Sequence, residues 1–491
     1  MNIGRLVLES LKLAGVRELF GIPGDFVLPL FKVIEESSIL PLYTLSHEPS
    51  IGFAADGAAR SSCRPSAAVV TYGAGALNMV NPVAAAYAER VPVIVVSGGP
   101  GVGEQPGELL LHHQAKQLDS QLQIYKEITC AWTRLDDTVD PPGELSRVLS
   151  EGIRQSRPVY IEVPRDRVTT SCGEPVALNL DKPFDQQALE ACIDELLEII
   201  SGAHSPVLMV GVEIRRLGIE KQVAELARLL SIPVVTSFMG RGLLAGHGIS
   251  LCGTYMGVAG NLQLTDLVED ADTLFLLGVI LSDTNLGTSR RKLNLKRCIV
   301  AQDGAVSMGY HNYPEIPLGA LVDSMTRRLT SQPPGPTCFV TRTVPPEYPY
   351  GLNADSQPIV PDDIATAVND WVRKFPETRI VADVGDSLFV AMDIADTGLA
   401  APGYYASMGY AVPAGLGIQA ATGHRPLIIV GDVGSISTPG KISVDRSDDS
   451  PWKNIADDVP VCAGNCNTAG KGMSVAFGRK KRLTDYASCA G

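Results

Sequence analysis

The sequence predicts an α/β fold made of three consecutive doubly wound parallel-sheet domains, the last one truncated or aberrant. Three observations carry this prediction. The chain has 491 residues, which is too many for one hydrophobic core. Short apolar segments bounded by Gly or Pro alternate with helix-like segments, which is typical of buried parallel strands and their crossover helices. The alternation restarts twice after a polar or Pro-rich segment, and this indicates separate sheets.

The first predicted domain covers residues 1–172, and its helices are expected to pack on both faces of one sheet. Its helix-like segments are GFAADGAARSS and ALNMVNPVAAAYAER. Its predicted strands are ELFGIPG, LPLYTL, SAAVVTYG, VPVIVVSG and PVYIEVP. Ligands of such sheets bind at the carboxyl ends of the strands. The loops that follow these strands are therefore where functional side chains are expected.

Two further domains are predicted beyond a polar linker near residues 181–183. The central domain covers residues 185–330, with strands SPVLMVGVEI, IPVVTSF, TLFLLGVI and LKRCIVAQDG. A second linker, rich in Pro, Thr and Gly, covers residues 331–358. The third domain, partial and covering residues 358–435, has strands TRIVADVGD and RPLIIVGDV around the helix YAVPAGLGIQAATG.

Composition argues against several classes of function. The formal net charge is −13, which disfavours binding to nucleic acid or to anionic membranes. No apolar run reaches the roughly 18 residues of a membrane span, and no signal peptide is apparent at the start. The 10 cysteines are scattered, which suits a reducing compartment, so a cytoplasmic location is expected. Cys462 and Cys466 form the one close pair worth weighing as metal ligands, but no second ligand pair lies nearby.

Glu48 stands in LSHEPSIGFAADGAAR, just after a predicted strand and just before a predicted helix. A carboxyl group packed there against apolar neighbours would have a raised pKa and could exchange a proton near neutral pH. An acidic residue at a helix start is also favoured by the helix dipole alone. The spacing by itself favours this second interpretation.

Two adjacent histidines, His112 and His113, follow the Gly- and Pro-rich loop GGPGVGEQPGE. Histidine is the usual proton carrier near pH 7, so the pair suggests proton relay or substrate binding, although a solvated pair is equally compatible. Asp25, in FGIPGDF, lies at another strand-to-loop boundary and could serve either in a site or as a helix N-cap.

The segment LIIVGDVG places Gly431 and Asp432 directly after a predicted buried strand. A loop of this kind can put a carboxylate on Mg²⁺ while backbone N–H groups bind a diphosphate. A lone Gly-Asp pair is a weak signal, and by itself it favours an ordinary turn after a core strand.

Taken in order along the chain, these motifs resemble the thiamine diphosphate-dependent 2-oxo acid decarboxylases, and most of all their phenylpyruvate and indolepyruvate decarboxylase branch. The motifs that carry the resemblance are FGIPGD, SHEPSIGFAADGAAR, TYGAGALNMVNPVAAAYAERVPVIVVSG, HH before LDSQLQIYKEIT, and VADVGDSLF, YYASMGYAVPAGLG and VGD. They cover about residues 1–432. The His pair favours decarboxylases over the similar acetolactate synthases.

The resemblance implies a pyrimidine-binding, a central and a diphosphate-binding domain, with thiamine diphosphate and Mg²⁺ as cofactors. It implies that Glu48 bonds the aminopyrimidine ring and promotes the tautomer that yields the reactive ylide. It implies that Asp25, His112 and His113 handle protons as the enamine releases an aldehyde. The cofactor-binding residues that it implies in the third domain are Asp386, Ala406, Ser407, Met408, Gly431 and Asp432, with Asp432 as a metal ligand.

The sequence departs from the family after Asp432. Val433 follows where the family has Gly, and Val459 stands at the spacing where the family has a metal-binding Asn. Asn454 lies too early for that role, and Asn465 lies too late. We therefore expect residues 436–491 to be an aberrant tail rather than the rest of the diphosphate-binding domain.

The resemblance predicts non-oxidative decarboxylation of an aromatic 2-oxo acid, phenylpyruvate or indolepyruvate, to the aldehyde and CO₂. The expected partners are this small-molecule substrate and a second copy of the chain, in a homodimer or homotetramer, because the family builds its site between subunits. Two alternatives remain open at this point: an acetolactate synthase-like carboligase, and a non-catalytic homologue with a broken cofactor site.

Overall fold

The computed structural model describes residues 1–104, 110–286, 293–332, 346–353, 358–395, 397–431 and 473–476. Within these ranges the chain forms three α/β units in succession, each with its own sheet. The predicted α/β class is confirmed. The second predicted linker lies largely outside the described residues, and so does the predicted tail, apart from one short strand.

The first unit is a six-stranded parallel sheet with the strand order β2-β1-β3-β4-β6-β5. Its strands are β1 (Leu19–Gly21), β2 (Leu42–Thr44), β3 (Ser66–Val70), β4 (Val93–Gly99), β5 (Ala131–Arg134) and β6 (Val159–Pro164). Its helices are α1 (Ile3–Leu13), α2 (Leu28–Ser37), α3 (Glu48–Ser62), α4 (Ala74–Asn78), α5 (Val80–Ala88), α6 (Ser120–Ile128) and α7 (Pro141–Gln155). All five predicted strands are present, and β5 is additional.

Two hydrophobic cores lie on opposite faces of this sheet, as double winding requires. Along β3, Ala67 and Val69 belong to one core, and Ala68 and Val70 belong to the other. Successive side chains of a strand point to opposite faces, so a strand buried on both sides must be apolar throughout. This explains why the predicted strands read as continuous apolar runs.

The second unit has a seven-stranded sheet with the order β13-β12-β11-β10-β7-β8-β9. Its strands are β7 (Pro206–Val210), β8 (Val234–Thr236), β9 (Leu251–Thr254), β10 (Thr273–Leu277), β11 (Cys298–Gln302), β12 (Ala305–Met308) and β13 (His311–Pro314). Its helices are α8 (Gln186–Gly202), α9 (Glu213–Arg216), α10 (Glu220–Leu230), α11 (Leu262–Glu269), α12 (Asp283–Leu286) and α13 (Leu318–Ser331). The hairpin β12–β13 pairs antiparallel at one edge, so this sheet is mixed rather than wholly parallel.

The third unit has a four-stranded sheet with the order β15-β14-β16-β17. Its helices are α14 (Pro361–Lys374), α15 (Asp386–Met392) and α16 (Ala411–Thr422), and its strands are β14 (Ile380–Ala382), β15 (Leu399–Ala400), β16 (Leu427–Gly431) and β17 (Met473–Ala476). The strand β17 pairs antiparallel with β16. No helix among the described residues has the length and apolar character to cross a membrane.

The first and third units meet along helices α3 and α16, which approach at two glycines. A Cβ atom added at Gly57 would lie 2.4 Å from the Ala414 carbonyl oxygen, and one added at Gly417 would lie 1.9 Å from the Ala54 carbonyl oxygen. Only residues without a Cβ permit such an approach of two backbones. The contact is therefore specified by glycine on both helices.

A buried ion network lies beside this helix contact. Arg60 donates from Nε to Asp56 at 2.5 Å and from Nη1 to Glu89 at 2.7 Å, and it also donates to the Ala401 carbonyl at 3.0 Å. Burial by itself would lower the pKa of Arg60, but Asp56, Tyr410 and Glu89 raise it well above its ordinary value. The network therefore holds a permanently charged guanidinium between the two units.

We expect Gly417→Ala to destabilise the protein by about 1–3 kcal/mol, because the added methyl group collides with backbone that cannot move independently. The midpoint of urea unfolding should fall accordingly. Gly319→Ala in α13 is the matched control, since a Cβ there meets nothing within 4 Å. An unfolding midpoint for Gly417→Ala equal to that of the parent would contradict the close approach of α3 and α16.

Candidate active site at two sheet edges

The first group of predicted site residues lies at the carboxyl edge of the first sheet. Asp25 follows β1, Glu48 follows β2 and opens α3, and residues 71–73 follow β3. These three strands are parallel neighbours, so their carboxyl ends meet at one edge. Sequence reasoning identified Asp25 and Glu48 from this rule, and the topology brings their loops together.

The predicted cluster of Asp25 with the two histidines forms in the structure. His112 Nε2 contacts Asp25 Oδ2 directly, and His113 Nδ1 lies 3.8 Å from Asp25 Oδ1. The His112 ring also stacks on Phe26, with ring centroids 4.8 Å apart. Both histidines are exposed, so the cluster opens towards solvent.

The Asp25 carboxyl group is held in its charged form. Burial raises its pKa, but the hydrogen bond with His112 and the charges of His112 and His113 outweigh this, so that its pKa lies below the ordinary value. Asp25 Oδ1 is buried and has no hydrogen-bond partner among the described residues. The cluster thus joins a carboxylate to two proton-carrying rings and keeps one acceptor oxygen unused.

Glu48 is half-buried at the first position of α3, and its carboxylate accepts a hydrogen bond from Asn78 Nδ2 at 2.8 Å. The same amide nitrogen lies 3.0 Å from His47 Nε2. Donation from Asn78 makes Nε2 an acceptor and leaves the proton on His47 Nδ1, which is buried without a partner in the described chain. Sequence reasoning missed Asn78, because nothing in the spacing of ALNMVNP marks its contact with Glu48.

Residues 71–73 form a platform on which this first group rests. The Phe26 N–H donates to Thr71 Oγ1 at 3.3 Å, and His113 Nδ1 lies 3.2 Å from the Tyr72 carbonyl oxygen. A Cβ atom added at Gly73 would lie 2.0 Å from the His113 carbonyl oxygen. The Asp25 loop and the histidine loop are therefore both seated on the end of β3.

The second group of predicted residues lies at the carboxyl edge of the third sheet. Asp386 is exposed at the start of α15, and Gly431 is the last residue of β16. Asp432, predicted as the metal ligand, lies outside the described residues, as do Val433, Val459 and the pair Cys462 and Cys466.

Ala406, Ser407 and Met408 occupy a turn between β15 and α16. Ala406 has φ +62°, a left-handed conformation that costs free energy for a residue with a Cβ and recurs at functional sites. Ser407 is buried, whereas the Met408 side chain is 54% exposed. An exposed methionine beside a strained turn is suited to contact a ligand or a second protein surface.

Asp383, which sequence reasoning missed, fixes this turn from below. It is buried after β14 and accepts hydrogen bonds from the backbone of Gly409 at 3.1 Å and of Ala411 at 3.4 Å. Burial raises its pKa, and these backbone donors oppose the rise. The predicted strand TRIVADVGD contains Asp383 and ends at Asp386, whereas the observed strand β14 ends at Ala382 and so puts Asp383 at its carboxyl end.

The two groups are not joined within one chain. Among the described residues, no hydrogen bond connects Asp25, Glu48, His112 or His113 to the group in the third unit. Ser407 Oγ of the second group lies 3.4 Å from Asn81 Oδ1 of α5, a residue that belongs to neither group.

Comparison with known proteins identifies the first two units. Residues 1–124 match the family described as thiamine pyrophosphate enzyme, N-terminal TPP binding domain, and residues 193–329 match thiamine pyrophosphate enzyme, central domain. The chain is 55% identical over 435 residues to indole-3-pyruvate decarboxylase of Azospirillum brasilense, covering 88% of this chain and 79% of that protein.

More distant relatives are named as pyruvate decarboxylases. Pyruvate decarboxylase 1 of Pisum sativum is 27% identical over 443 residues, covering 88% of this chain and 74% of that protein. Pyruvate decarboxylase 3 of Arabidopsis thaliana is 28% identical over 449 residues, with 88% and 74% covered. The predicted resemblance is thereby confirmed, and the chain belongs to the thiamine diphosphate-dependent 2-oxo acid decarboxylase family.

Proposed function

We propose that this protein decarboxylates an aromatic 2-oxo acid, with indole-3-pyruvate as the first substrate to test, to the aldehyde and CO₂. The observation that carries the proposal is the 55% identity to an indole-3-pyruvate decarboxylase over 435 residues. The cluster of Asp25 with His112 and His113 supports it, since decarboxylation to an aldehyde needs a proton delivered after CO₂ leaves. A carboligase would bring a second 2-oxo acid to the same place instead of a proton.

The described residues fit thiamine diphosphate. Buried polar atoms without partners lie in both groups: Asp25 Oδ1 and His47 Nδ1 at the first edge, and Ser387 Oγ at the third sheet. Unused buried donors and acceptors are costly unless a ligand satisfies them. When bound, the cofactor supplies an electron sink for the charge left on the substrate carbon.

We assign the residues of this chain as follows. Glu48 would share a proton with the aminopyrimidine ring of the bound cofactor, and Asn78 holds the Glu48 carboxylate in place. Ala406, Ser407 and Met408 would support that ring, and Asp386 and Gly431 would hold the diphosphate. Asp432 would bind Mg²⁺. Asp25, His112 and His113 would deliver the proton to the product.

A second copy of the chain supplies the missing half in this proposal, so that the first edge of one subunit faces the third-sheet edge of its partner. The separation of the two groups within one chain supports a homodimer or a homotetramer. We further propose the domain limits 1–172, 185–330 and 358–435, and a cytoplasmic location. All six described cysteines are free, which suits a reducing compartment.

Purified protein supplied with thiamine diphosphate and Mg²⁺ should release CO₂ and indole-3-acetaldehyde from indole-3-pyruvate. Phenylpyruvate should also react, and pyruvate should react much more slowly. Removal of the metal with EDTA should abolish turnover, because the diphosphate is anchored through the ion. Formation of acetolactate or acetoin would favour the carboligase, and no turnover with any 2-oxo acid would overturn the proposal.

Glu48→Gln should lower kcat by at least about 100-fold, because a carboxamide cannot exchange a proton. Calorimetric binding of thiamine diphosphate with Mg²⁺ should persist, since the amide keeps the shape of the side chain. Glu144→Gln is the control, because Glu144 also lies in the first turn of a helix, α7, and its carboxylate pairs with Arg147 away from the candidate site. Full activity of the Glu48 variant would exclude the assigned role.

His112→Asn should move the acidic limb of the pH profile of kcat/KM to higher pH. His112 contributes most to lowering the pKa of Asp25, so without it Asp25 takes up its proton at a higher pH. The surface variant His311→Asn, whose histidine pairs with Glu195, should leave the profile unchanged. An acidic limb that stays in place or moves to lower pH would show that Asp25 is not the titrating group.

A further inference from the structure

A buried network of polar side chains, here called the Gln121 network, lies behind the loop that carries His112 and His113. The assignments above do not use it. Its members are Gln121 at the start of α6 and Tyr160 and Glu162 on β6. Their exposed fractions are 1%, 0% and 1%. Burying this much polar surface in a hydrophobic core is unfavourable unless each group is hydrogen-bonded, so the arrangement needs a reason.

The hydrogen bonds of the Gln121 network all run in one direction. Arg134 Nε donates to Glu162 Oε1 at 2.5 Å, and the Tyr160 hydroxyl donates to Glu162 Oε2 at 2.7 Å. Gln121 Nε2 then donates to the Tyr160 hydroxyl oxygen at 2.5 Å and to Ser97 Oγ at 3.0 Å. Each of these buried side chains thereby has a hydrogen-bond partner.

This direction fixes the orientation of the Gln121 amide. Arginine can only donate, so Glu162 accepts, Tyr160 donates to Glu162, and the Tyr160 oxygen is left as an acceptor. Gln121 must therefore turn its NH₂ group to Tyr160 and its carbonyl oxygen the other way. That oxygen accepts the backbone N–H of Gly73 at 2.6 Å.

Gly73 is where the Gln121 network contacts the loop that carries His113. It has φ +66°, and it lies so close to His113 that an added Cβ would fall 2.0 Å from the His113 carbonyl oxygen. The residue before it, Tyr72, presents its carbonyl oxygen to His113 Nδ1 and is held by its own hydroxyl, which donates to the Leu118 carbonyl at 2.8 Å. A shift of the Gly73 peptide therefore shifts the surface on which His113 rests.

We propose that Gln121, oriented by Tyr160 and Glu162, is a positioning residue that holds the Gly73 peptide and thereby sets the ring of His113 for proton delivery. The inference rests on the role assigned to His113 above. It differs from ordinary core hydrogen bonding because it predicts an effect at one particular histidine ring. A hydrogen bond that served stability alone would leave that ring unchanged.

The test uses the holoenzyme labelled with ¹³C at histidine Cε1. The chain has only seven histidines, so the His113 signal can be assigned by comparison with a His113→Asn sample. Gln121→Met fills the same space but cannot accept from Gly73. The His113 signal should move, and kcat should fall about 10-fold to 100-fold with KM nearly unchanged, as expected when a proton-transfer group is displaced.

Two further variants separate positioning from general loss of stability. Thr129→Val removes another buried side-chain hydrogen bond near the end of α6, from Thr129 Oγ1 to the Tyr125 carbonyl at 2.6 Å, which does not reach Gly73. It should keep the parent His113 signal and kcat. Gln121→Asn keeps an amide but withdraws it from Gly73, so it should also move the His113 signal and lower kcat. It provides the test if Gln121→Met does not fold.

The outcomes are distinct. An unchanged His113 signal, or an unchanged kcat, in a folded Gln121→Met or Gln121→Asn protein would overturn the inference. An equal effect in Thr129→Val would overturn it as well, since the cause would then be loss of core stability. Full activity of His113→Asn would instead refute the role given to His113 in the proposed function, whatever the Gln121 variants do.

Discussion

Helix α3 can lie against α16 only because Gly57 and Gly417 have no Cβ atom, and much of the structure depends on this contact. The same helix begins at Glu48, which is assigned to the cofactor ring, and ends near Arg60, whose guanidinium is buried between the first and third units. A single rigid element thus connects the proposed catalytic acid to the interface between the units. The ion pairs of Arg60 with Asp56 and Glu89 lie within the first unit. Two hydrogen bonds connect this ion network to the third unit, from Arg60 to the Ala401 carbonyl and from the Tyr410 hydroxyl to Asp56.

The carboxyl end of β3 plays a comparable part within the first unit. Residues 71–73 hold the Asp25 loop through Thr71 and the histidine loop through Tyr72 and Gly73. A sheet is stiffer than the loops it carries, so groups seated on one strand end keep their relative positions. The Gln121 network extends this support into the core. The residues proposed to handle protons at this exposed edge are in this way held by side chains that are buried from solvent.

The halves of the site have different kinds of support. The first edge is held by side chains of its own unit, whereas the turn at 406–408 is held by Asp383 from below and by Glu89, which accepts from the backbone of Tyr404 and Tyr405 at 2.8 Å. The first unit therefore shapes part of the third unit within one chain. The same turn, with Met408 exposed, is then available to the partner subunit in the proposed assembly.

The sequence by itself determined the α/β class, nearly all of the long strands, and the catalytic candidates that follow strands. It could do so because buried parallel strands are apolar on both faces and because loops at their carboxyl ends carry function. It also identified the family, since the motifs around Asp25, Glu48 and His112 are long. The sequence did not predict β5, the hairpin β12–β13, the contacts of Asn78 and Asp383, or the Gln121 network. Those depend on contacts between residues 26 to 48 positions apart or on sheet edges whose strands are short and partly exposed, and only the tertiary structure decides which distant side chains meet.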